Sequence, residues 1–309
     1  MPTASATTVS QILFTNIGPL TTVWTPPASC TTQAPHLVLA RPADDDRVGV
    51  RWGSQRCDTN ETEPIGDCLP SGSALDALHS SIMSSGNWGN GYWNYYSPAS
   101  QCPSGYVTVG IAAKGSQGIV SSSGAFVPPV VTEQYDPALS GFNPPMNIFL
   151  EILDDGETAI ACCPEGFIIG QYGDGCYKEV PQSVYGEKTT CGAYASGPGQ
   201  FTFINVTYTY NNTVVTGKAP SFTATSLSAY TTQTETLASE IAASAVPYEY
   251  DGGIMLVYRE ADATGTGNPA PTNATGSGSK TAASGSGVGV LTTVWTLAAL
   301  AGVALAMPW

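Results

Sequence analysis

Eight cysteines constrain this chain more than any other feature of its sequence, and they are listed here: Cys30, Cys57, Cys68, Cys102, Cys162, Cys163, Cys176 and Cys191. Their number is even, and no pair has the Cys-x-x-Cys spacing that is typical of a zinc site. The pattern predicts four disulfides formed in an oxidising compartment. Eight cysteines allow 105 pairings, so the connectivity stays open. Cys162 and Cys163 are neighbours and, on a strand, would point to opposite faces and take different partners.

Four N-glycosylation sequons agree with passage through the secretory route, and each has the Asn-x-Thr form. Their acceptor residues are Asn60, Asn205, Asn211 and Asn273. Composition points the same way, because only 11% of the 309 residues are charged while Ser, Thr, Gly and Pro are abundant. The net charge of -14 excludes nucleic acid as a partner, since phosphate binding needs clustered Lys and Arg. The sequence therefore predicts a secreted or surface-exposed glycoprotein.

The segment Val288–Trp309 is apolar, uncharged and 22 residues long. As a helix it would span roughly 33 Å, enough for a hydrocarbon core of about 30 Å. We favour a glycolipid (GPI) attachment signal, because small residues and a polar spacer precede the segment. The expected attachment residue is Ser277 or Gly278. The alternatives are a single-pass helix, which normally carries cytoplasmic Lys or Arg, and a buried or artefactual segment.

The first twenty residues are a poor signal peptide, because no Lys or Arg precedes Arg41 and the only apolar patch is short. Three explanations stay open: the true start lies elsewhere, entry uses a non-standard signal, or the chain is not secreted. We favour the first of these. The expected organisation is an extended segment over residues 1–28, a folded ectodomain over 29–260, a low-complexity stalk over 261–287, and the apolar tail over 288–309.

The ectodomain is predicted to be mainly β, disulfide-braced, and either sandwich-like or irregular, with few short helices and a C-terminal hydrophobic helix. Asp154-Asp155-Gly156 between two apolar runs predicts a hairpin. The runs that predict strands are 147–153, 157–163, 201–210, the segment from Tyr106 and the segment from Gly253. In 201–210 we expect the even-numbered residues to be buried and Asn205 to face water, with a turn at Asn211-Asn212. Helices are expected over 74–83 and 234–245.

Two short segments share the pattern Cys-Pro-x-Gly-aromatic: Cys102–Tyr106 and Cys163–Phe167. Proline restricts φ and glycine permits a positive φ, so each pattern predicts a tight turn beside a disulfide.

These turns belong to longer stretches, "YSPASQCPSGY" and "TAIACCPEGF", which follow "LTTVWTPPASC". With the Ser/Gly-rich stalk and the apolar tail, the stretches resemble a functionally uncharacterised group of filamentous-fungal surface proteins. The resemblance covers about Leu20 to Cys191 and the tail. It implies a cysteine-containing ectodomain tethered by a single helix or a glycolipid, and it supplies no catalytic residue.

Signals for catalysis are weak. The two histidines, His36 and His79, are too few for a three-histidine metal site, and no hydrolase or phosphate-binding motif appears. We expect no enzyme activity, no metal and no cofactor. The alternative is a secreted hydrolase with a carboxylate pair, for which the candidate residues are Glu133, Asp136, Glu151 and Glu165.

One aromatic segment, Gly86–Pro98, suggests a second alternative, binding to cell-wall polysaccharide. Its rings lie among asparagines whose amides both donate and accept hydrogen bonds, a combination suited to sugar rings. The aromatic residues are Trp88, Tyr92, Trp93, Tyr95 and Tyr96. The competing interpretation, which we favour, is that these rings pack into the core near Cys102.

Overall fold

A computed structural model describes residues 7–32, 34–42, 47–55, 68–85, 91–128, 143–195, 201–222 and 230–263. The strands are β1 Thr7–Val9, β2 Ile12–Gly18, β3 His36–Pro42, β4 Val48–Ser54, β5 Tyr92–Tyr96, β6 Tyr106–Gly115, β7 Gly118–Gly124, β8 Glu157–Pro164, β9 Ile168–Ile169, β10 Cys176–Glu179, β11 Thr189–Ala195, β12 Phe201–Tyr210, β13 Thr213–Phe222, β14 Tyr230–Thr236, β15 Val246–Asp251 and β16 Ile254–Arg259. The α-helices are α1 Gly72–Ser85, α2 Pro145–Ile152, α3 Gln182–Tyr185, α4 Ser239–Ser244 and α5 Glu260–Ala263, and Ala28–Thr32 forms a 3₁₀ turn. The predicted β-rich fold with few short helices is confirmed; the predicted C-terminal helix lies outside the described residues.

The large sheet has seven strands in the order β1-β2-β5-β16-β8-β6-β7. β5 runs parallel to both β2 and β16, and the other neighbours are antiparallel. β8 lies inside the sheet and is buried on both faces, which explains its nearly continuous apolar sequence, Glu157–Pro164. β1 and β2 come from the segment that was predicted to be extended, and their residues 7–9 and 12–18 are part of this sheet.

The prediction of a strand over 147–153 is wrong, because residues 147–152 lie in helix α2 and Leu153 is its C-cap. Pro145 occupies the first helical turn, where its fixed φ is favourable and its missing N–H costs nothing. Met146, Phe149 and Leu153 recur at helical spacing and are buried. Asp154-Asp155-Gly156 therefore joins a helix to β8 rather than closing a hairpin, so the hairpin prediction is also wrong.

The main core lies where α2 packs against the large sheet. Phe149 is fully buried, and its ring centroid is 5.9 Å from that of Phe14, 6.0 Å from Trp93 and 5.9 Å from Tyr95. Burying a phenylalanine side chain contributes about 1.5–3 kcal/mol. This aromatic cluster is therefore a principal source of stability.

A small sheet of five strands, β4-β3-β15-β10-β9, is antiparallel throughout. Its core contains Leu39, Val38 and Tyr177, each 0% exposed. The disulfide Cys163–Cys176 joins β8 of the large sheet to β10 of the small one. The two sheets are thus covalently linked where β8 ends and β10 begins.

The β12–β13 ribbon is a separate two-stranded sheet with ten paired positions, from Phe201↔Phe222 to Tyr210↔Thr213. Its two-residue loop has positive φ at both positions, 47° at Asn211 and 59° at Asn212, as tight hairpins of this kind require. The predicted strand 201–210 and the predicted turn are present.

The faces of the ribbon differ as expected: Asn205 and its neighbours of odd number are exposed, while Val206, Tyr208 and Tyr210 are half-buried. Thr202 and Ile204 are exposed as well, so burial of the even-numbered face begins only at Val206.

The two predicted helices have different outcomes. Residues 74–83 lie within α1, as predicted. The prediction over 234–245 is wrong at its start, because β14 continues to Thr236 and pairs with β11; the helix, α4, begins only at Ser239. The β-branched run Thr231-Thr232 before this point favours the strand.

Candidate functional site

The disulfides link chain segments that are distant in sequence and so fix the relative positions of the side chains they carry. The described pairs are Cys30–Cys68, Cys102–Cys162 and Cys163–Cys176, with Cα–Cα distances of 5.5, 5.8 and 5.6 Å. Cys162 and Cys163 take different partners, as their adjacent positions on β8 predict. Cys191 is also disulfide-bonded, and Cys57 lies outside the described residues.

The two Cys-Pro-x-Gly segments form matching turns side by side. The N–H of Tyr106 donates to the carbonyl of Pro103, and the N–H of Phe167 donates to that of Pro164, each at 3.0 Å. Gly105 and Gly166 have φ of +82° and +83°, which explains the glycine in both segments. The N–H of Glu165 then donates to the Gly105 carbonyl at 2.9 Å, so the turns contact each other. The repeat therefore has a structural role.

Four of the five aromatic residues of the segment lie on β5, and Trp88 is outside the described residues. Trp93 and Tyr95 point toward α2 and contact Phe149. Tyr96 is 4% exposed and its hydroxyl donates to the carbonyl of Pro70. These described rings are engaged in packing, and saccharide stacking on them stays a prediction.

The two histidines have distinct surroundings. His36 begins β3, is exposed, and its Nε2 lies 2.8 Å from the hydroxyl of Ser54 on β4. A serine within hydrogen-bond reach of a histidine is the first requirement for a nucleophile. Ser54, however, is only 4% exposed, so a substrate has little access to its hydroxyl. His79 lies on α1, with Nδ1 2.6 Å from the hydroxyl of Tyr92.

A polar cluster of the small sheet centres on Asp174, which lies in the loop between β9 and β10. We name Asp174, Tyr177, Tyr250 and Arg51 the Asp174 cluster. The Tyr177 hydroxyl donates to Asp174 Oδ2 at 2.5 Å, and the Tyr250 hydroxyl donates to the Asp174 carbonyl at 2.9 Å. The Arg51 guanidinium lies 4.6 Å from the centroid of the Tyr250 ring. Three strands and one loop therefore meet at a single acid.

Burial raises the pKa of Asp174, and the Tyr177 hydrogen bond and the positive charge of Arg51 oppose that rise only in part. Burial, followed by the Asp174 charge, raises the pKa of Tyr177 well above its ordinary value. Such perturbed groups occur at functional sites and also in structural networks. Here Tyr177 is 0% exposed, which favours a structural role in closing the loop.

Sequence reasoning missed this cluster, although the run Gly170–Gly175 contains a signal for it. A Cβ on Gly170 would lie 2.0 Å from Asp174 Oδ1, and one on Gly175 would lie 2.4 Å from the Tyr250 ring. Both glycines therefore permit the close approach of neighbouring groups. A glycine-dense loop could have been predicted, whereas its contacts with Arg51 and Tyr250 depend on distant chain segments.

The carboxylates proposed for a hydrolase are not brought together where they are described. Glu151 lies on α2 near the start of β8 and contacts Asn143 and Asn147; burial raises its pKa. Glu165 lies in the exposed turn beyond the other end of β8. The intervening strand spans about 23 Å, beyond the roughly 5–10 Å that a carboxylate pair requires. Glu133 and Asp136 lie outside the described residues.

Two of the four sequons are described, and both lie on the β12–β13 ribbon. Asn205 is exposed within β12, and Asn211 is exposed in the hairpin loop. Asn60, Asn273, Ser277 and Gly278 lie outside the described residues. Within the described ranges, no three or more His, Cys, Asp or Glu side chains are grouped to hold a metal ion.

The described helices include none with the length and apolar character needed to cross a bilayer. Residues 288–309, the apolar tail, are outside the described part of the chain. No known protein family, curated protein sequence or solved structure matches this chain.

Proposed function

We propose that this chain is a fungal surface glycoprotein, tethered to the membrane or the cell wall, whose disulfide-braced β ectodomain acts without catalysis. The observation that carries the proposal is the combination of disulfides inside the fold with exposed sequons on the ribbon. Cys163–Cys176 links two sheets, so oxidation is part of the architecture. Asn205 and Asn211 are accessible to a glycosyltransferase in the same oxidising lumen.

The tether is proposed from the sequence of the stalk and tail. Residues 261–287 are too poor in apolar side chains to form a core, and 288–309 match the thickness of a hydrocarbon layer. A stalk of this composition would hold the ectodomain away from the lipid. The fungal assignment rests on the resemblance of the Cys-Pro-x-Gly segments and the tail described above.

Phospholipase C treatment of intact cells tests the tether. We expect the full chain in the membrane fraction and its release into the medium by the enzyme, as glycolipid attachment requires. Replacing both Ser277 and Gly278 with Trp should abolish attachment if either is the acceptor. Replacing Ser284 and Gly285 with Trp is the matched control, because this pair lies seven residues closer to the tail.

A variant lacking residues 288–309 separates the alternatives. Its appearance in the medium, together with retention of the full chain after phospholipase C, would identify a membrane-spanning helix. If the full chain is instead soluble inside the cell with free thiols, the proposed function is wrong.

A further inference from the structure

Helix α1 lies along the face of β5 that carries Tyr92, Asn94 and Tyr96, which share a face because strand side chains alternate. Two contacts show how α1 is oriented relative to β5. Tyr96 donates to the Pro70 carbonyl just before α1, and the Tyr92 hydroxyl meets His79 nine residues later. The helix rises about 11 Å from Gly72 to His79, and the four strand residues from Tyr92 to Tyr96 span about 13 Å. Asn94 therefore lies beneath the helix, between the two contacts.

Three buried polar atoms without a hydrogen-bond partner among the described residues lie between α1 and the large sheet, a region that we call the α1 layer. Thr15 on β2 is the direct partner of Asn94 in the parallel β2–β5 pair, so both side chains face α1. Considering the described residues, Thr15 Oγ1, Asn94 Oδ1 and His79 Nε2 are buried and form no hydrogen bond with any protein group. Buried polar atoms are normally satisfied, and three on one face need a common explanation.

Asn16, on the opposite face of β2, shows how the chain satisfies a buried amide with its own groups. Its Oδ1 accepts from the N–H of Gly18 at 2.9 Å and from that of Ser97 at 3.1 Å. Its Nδ2 donates to the Ser97 carbonyl at 3.2 Å. Asn94 is in the same sheet, and its oxygen has no such partner.

We propose that Thr15, Asn94 and His79 form a binding site for a hydroxyl oxygen beneath α1. When the Tyr92 hydroxyl donates to Nδ1, the proton of His79 is on Nε2 and can be donated to that oxygen. The bound hydroxyl then donates to Asn94 Oδ1, which can only accept. Thr15 Oγ1 can donate or accept and completes the set. A single oxygen with two to four polar partners is the usual arrangement for a buried hydroxyl.

The hydroxyl has two sources, an internal water or a hydroxyl of a cell-wall saccharide. The saccharide source rests on the proposed surface location, whereas the water does not. Tyr92 and Asn94 belong to the aromatic segment singled out in the sequence. In this proposal they contribute to a buried site beneath α1 and do not stack on a saccharide at the surface.

The first test is whether the substitution Thr15→Val lowers or raises the free energy of unfolding. If the threonine holds a hydroxyl, the isosteric valine removes a hydrogen bond, and the folding equilibrium should fall about tenfold. If the layer is dry, valine removes a desolvated oxygen and should raise stability, which overturns the proposal. Thr15→Ser keeps the oxygen and should retain more of the hydrogen-bond contribution than valine does. Thr8→Val, at an exposed position on β1, is the matched control and should change little.

A double-variant cycle with Asn94→Leu tests whether one oxygen serves both residues. We expect the double variant to lose clearly less than the sum of the single losses, because the second substitution finds the hydroxyl already gone. Additive losses would show that the two atoms do not share a ligand and would contradict the proposal.

Nitrogen NMR of the His79 ring, during titration with chitotetraose and with laminaritetraose, separates the two sources. A saturable shift at Nε2 that is absent in Asn94→Leu identifies a saccharide hydroxyl. An unchanged ring signal, with Thr15→Val still destabilising, identifies an internal water. The cell-fractionation experiments above do not depend on either result, so failure here is distinguishable from failure of the proposed function.

Discussion

Phe149 and Phe203 are the same residue type in two regions that use apolar surface differently. Phe149 is 0% exposed at the centre of an aromatic cluster between α2 and the large sheet, whereas Phe203 is 48% exposed on the β12–β13 ribbon. The ribbon also exposes Val214 by 68% and carries Asn205 and Asn211. The comparison indicates that the packing of α2 on the large sheet supplies stability, while the ribbon exposes both described sequons.

The largest expected effect comes from truncating the two phenylalanines. Phe149→Ala should destabilise the protein by about 3–5 kcal/mol, because it opens a cavity among rings that cannot collapse. Phe203→Ala should cost within about 0.5 kcal/mol, as exposed substitutions usually do. Urea denaturation of both variants measures the difference. Similar losses would mean that the ribbon belongs to the same cooperative core.

Two disulfides of the sheets can be compared in the same way, one closing a long loop and one closing a short loop. Loop-closure entropy predicts that removing Cys102–Cys162, with sequence separation 60, costs about 4 kcal/mol, and that removing Cys163–Cys176, with separation 13, costs about 3 kcal/mol. Each bond is removed by replacing both of its cysteines with alanine, and unfolding is followed by circular dichroism. A larger loss for the shorter loop would show that the link between sheets matters more than chain entropy.

The Asp174 cluster gives the small sheet a pH dependence. Because burial raises the pKa of Asp174 above its ordinary 3.8, the folded state holds its proton more tightly than the unfolded state. Protonation of Asp174 therefore favours the folded state. The resulting stabilisation is complete below the pKa of the unfolded state and is lost as pH rises through the pKa of the folded state. Asp174→Asn should therefore raise the melting temperature at pH 7, with a smaller gain at pH 3.

Glu165→Gln is the matched control for that experiment, because Glu165 is an exposed carboxylate in a turn. A stability gain for Asp174→Asn that is equal at both pH values would contradict a raised pKa and would point to a change in packing.

The smallest expected effect on stability is in the ribbon. Asn205→Gln should remove one glycan, seen as a lower mass on denaturing gels, with a stability change within about 0.5 kcal/mol. Asn211→Gln should also remove one glycan but should cost more stability, because Asn211 has a positive φ of 47° that glutamine adopts less readily than asparagine. Asn212→Gln is the control, because Asn212 is followed by Thr213 and Val214 and is not a sequon. A large loss of stability in both glycan variants would show that the glycans support the fold.

Short-range sequence patterns correctly predicted the local features of the fold. Alternation predicted β12, the Asn211-Asn212 pair predicted its loop, and adjacency predicted separate partners for Cys162 and Cys163. The sequence misled at α2, where an Asp-Gly turn signal outweighed Pro145 and the helical spacing of Met146 and Phe149. The contacts of the Asp174 cluster were not predictable, because they join residues 51, 174 and 250 through strand pairing, although the glycine-dense loop itself could have been predicted.

The most direct test of a secreted, disulfide-braced glycoprotein is mass spectrometry of the full chain purified from its own cells without reductant. We expect the cysteines of the three described pairs to resist alkylation, and Asn205 and Asn211 to carry glycans that an N-glycosidase removes. Six thiols that react freely, on a chain with no glycan at either asparagine, would contradict it.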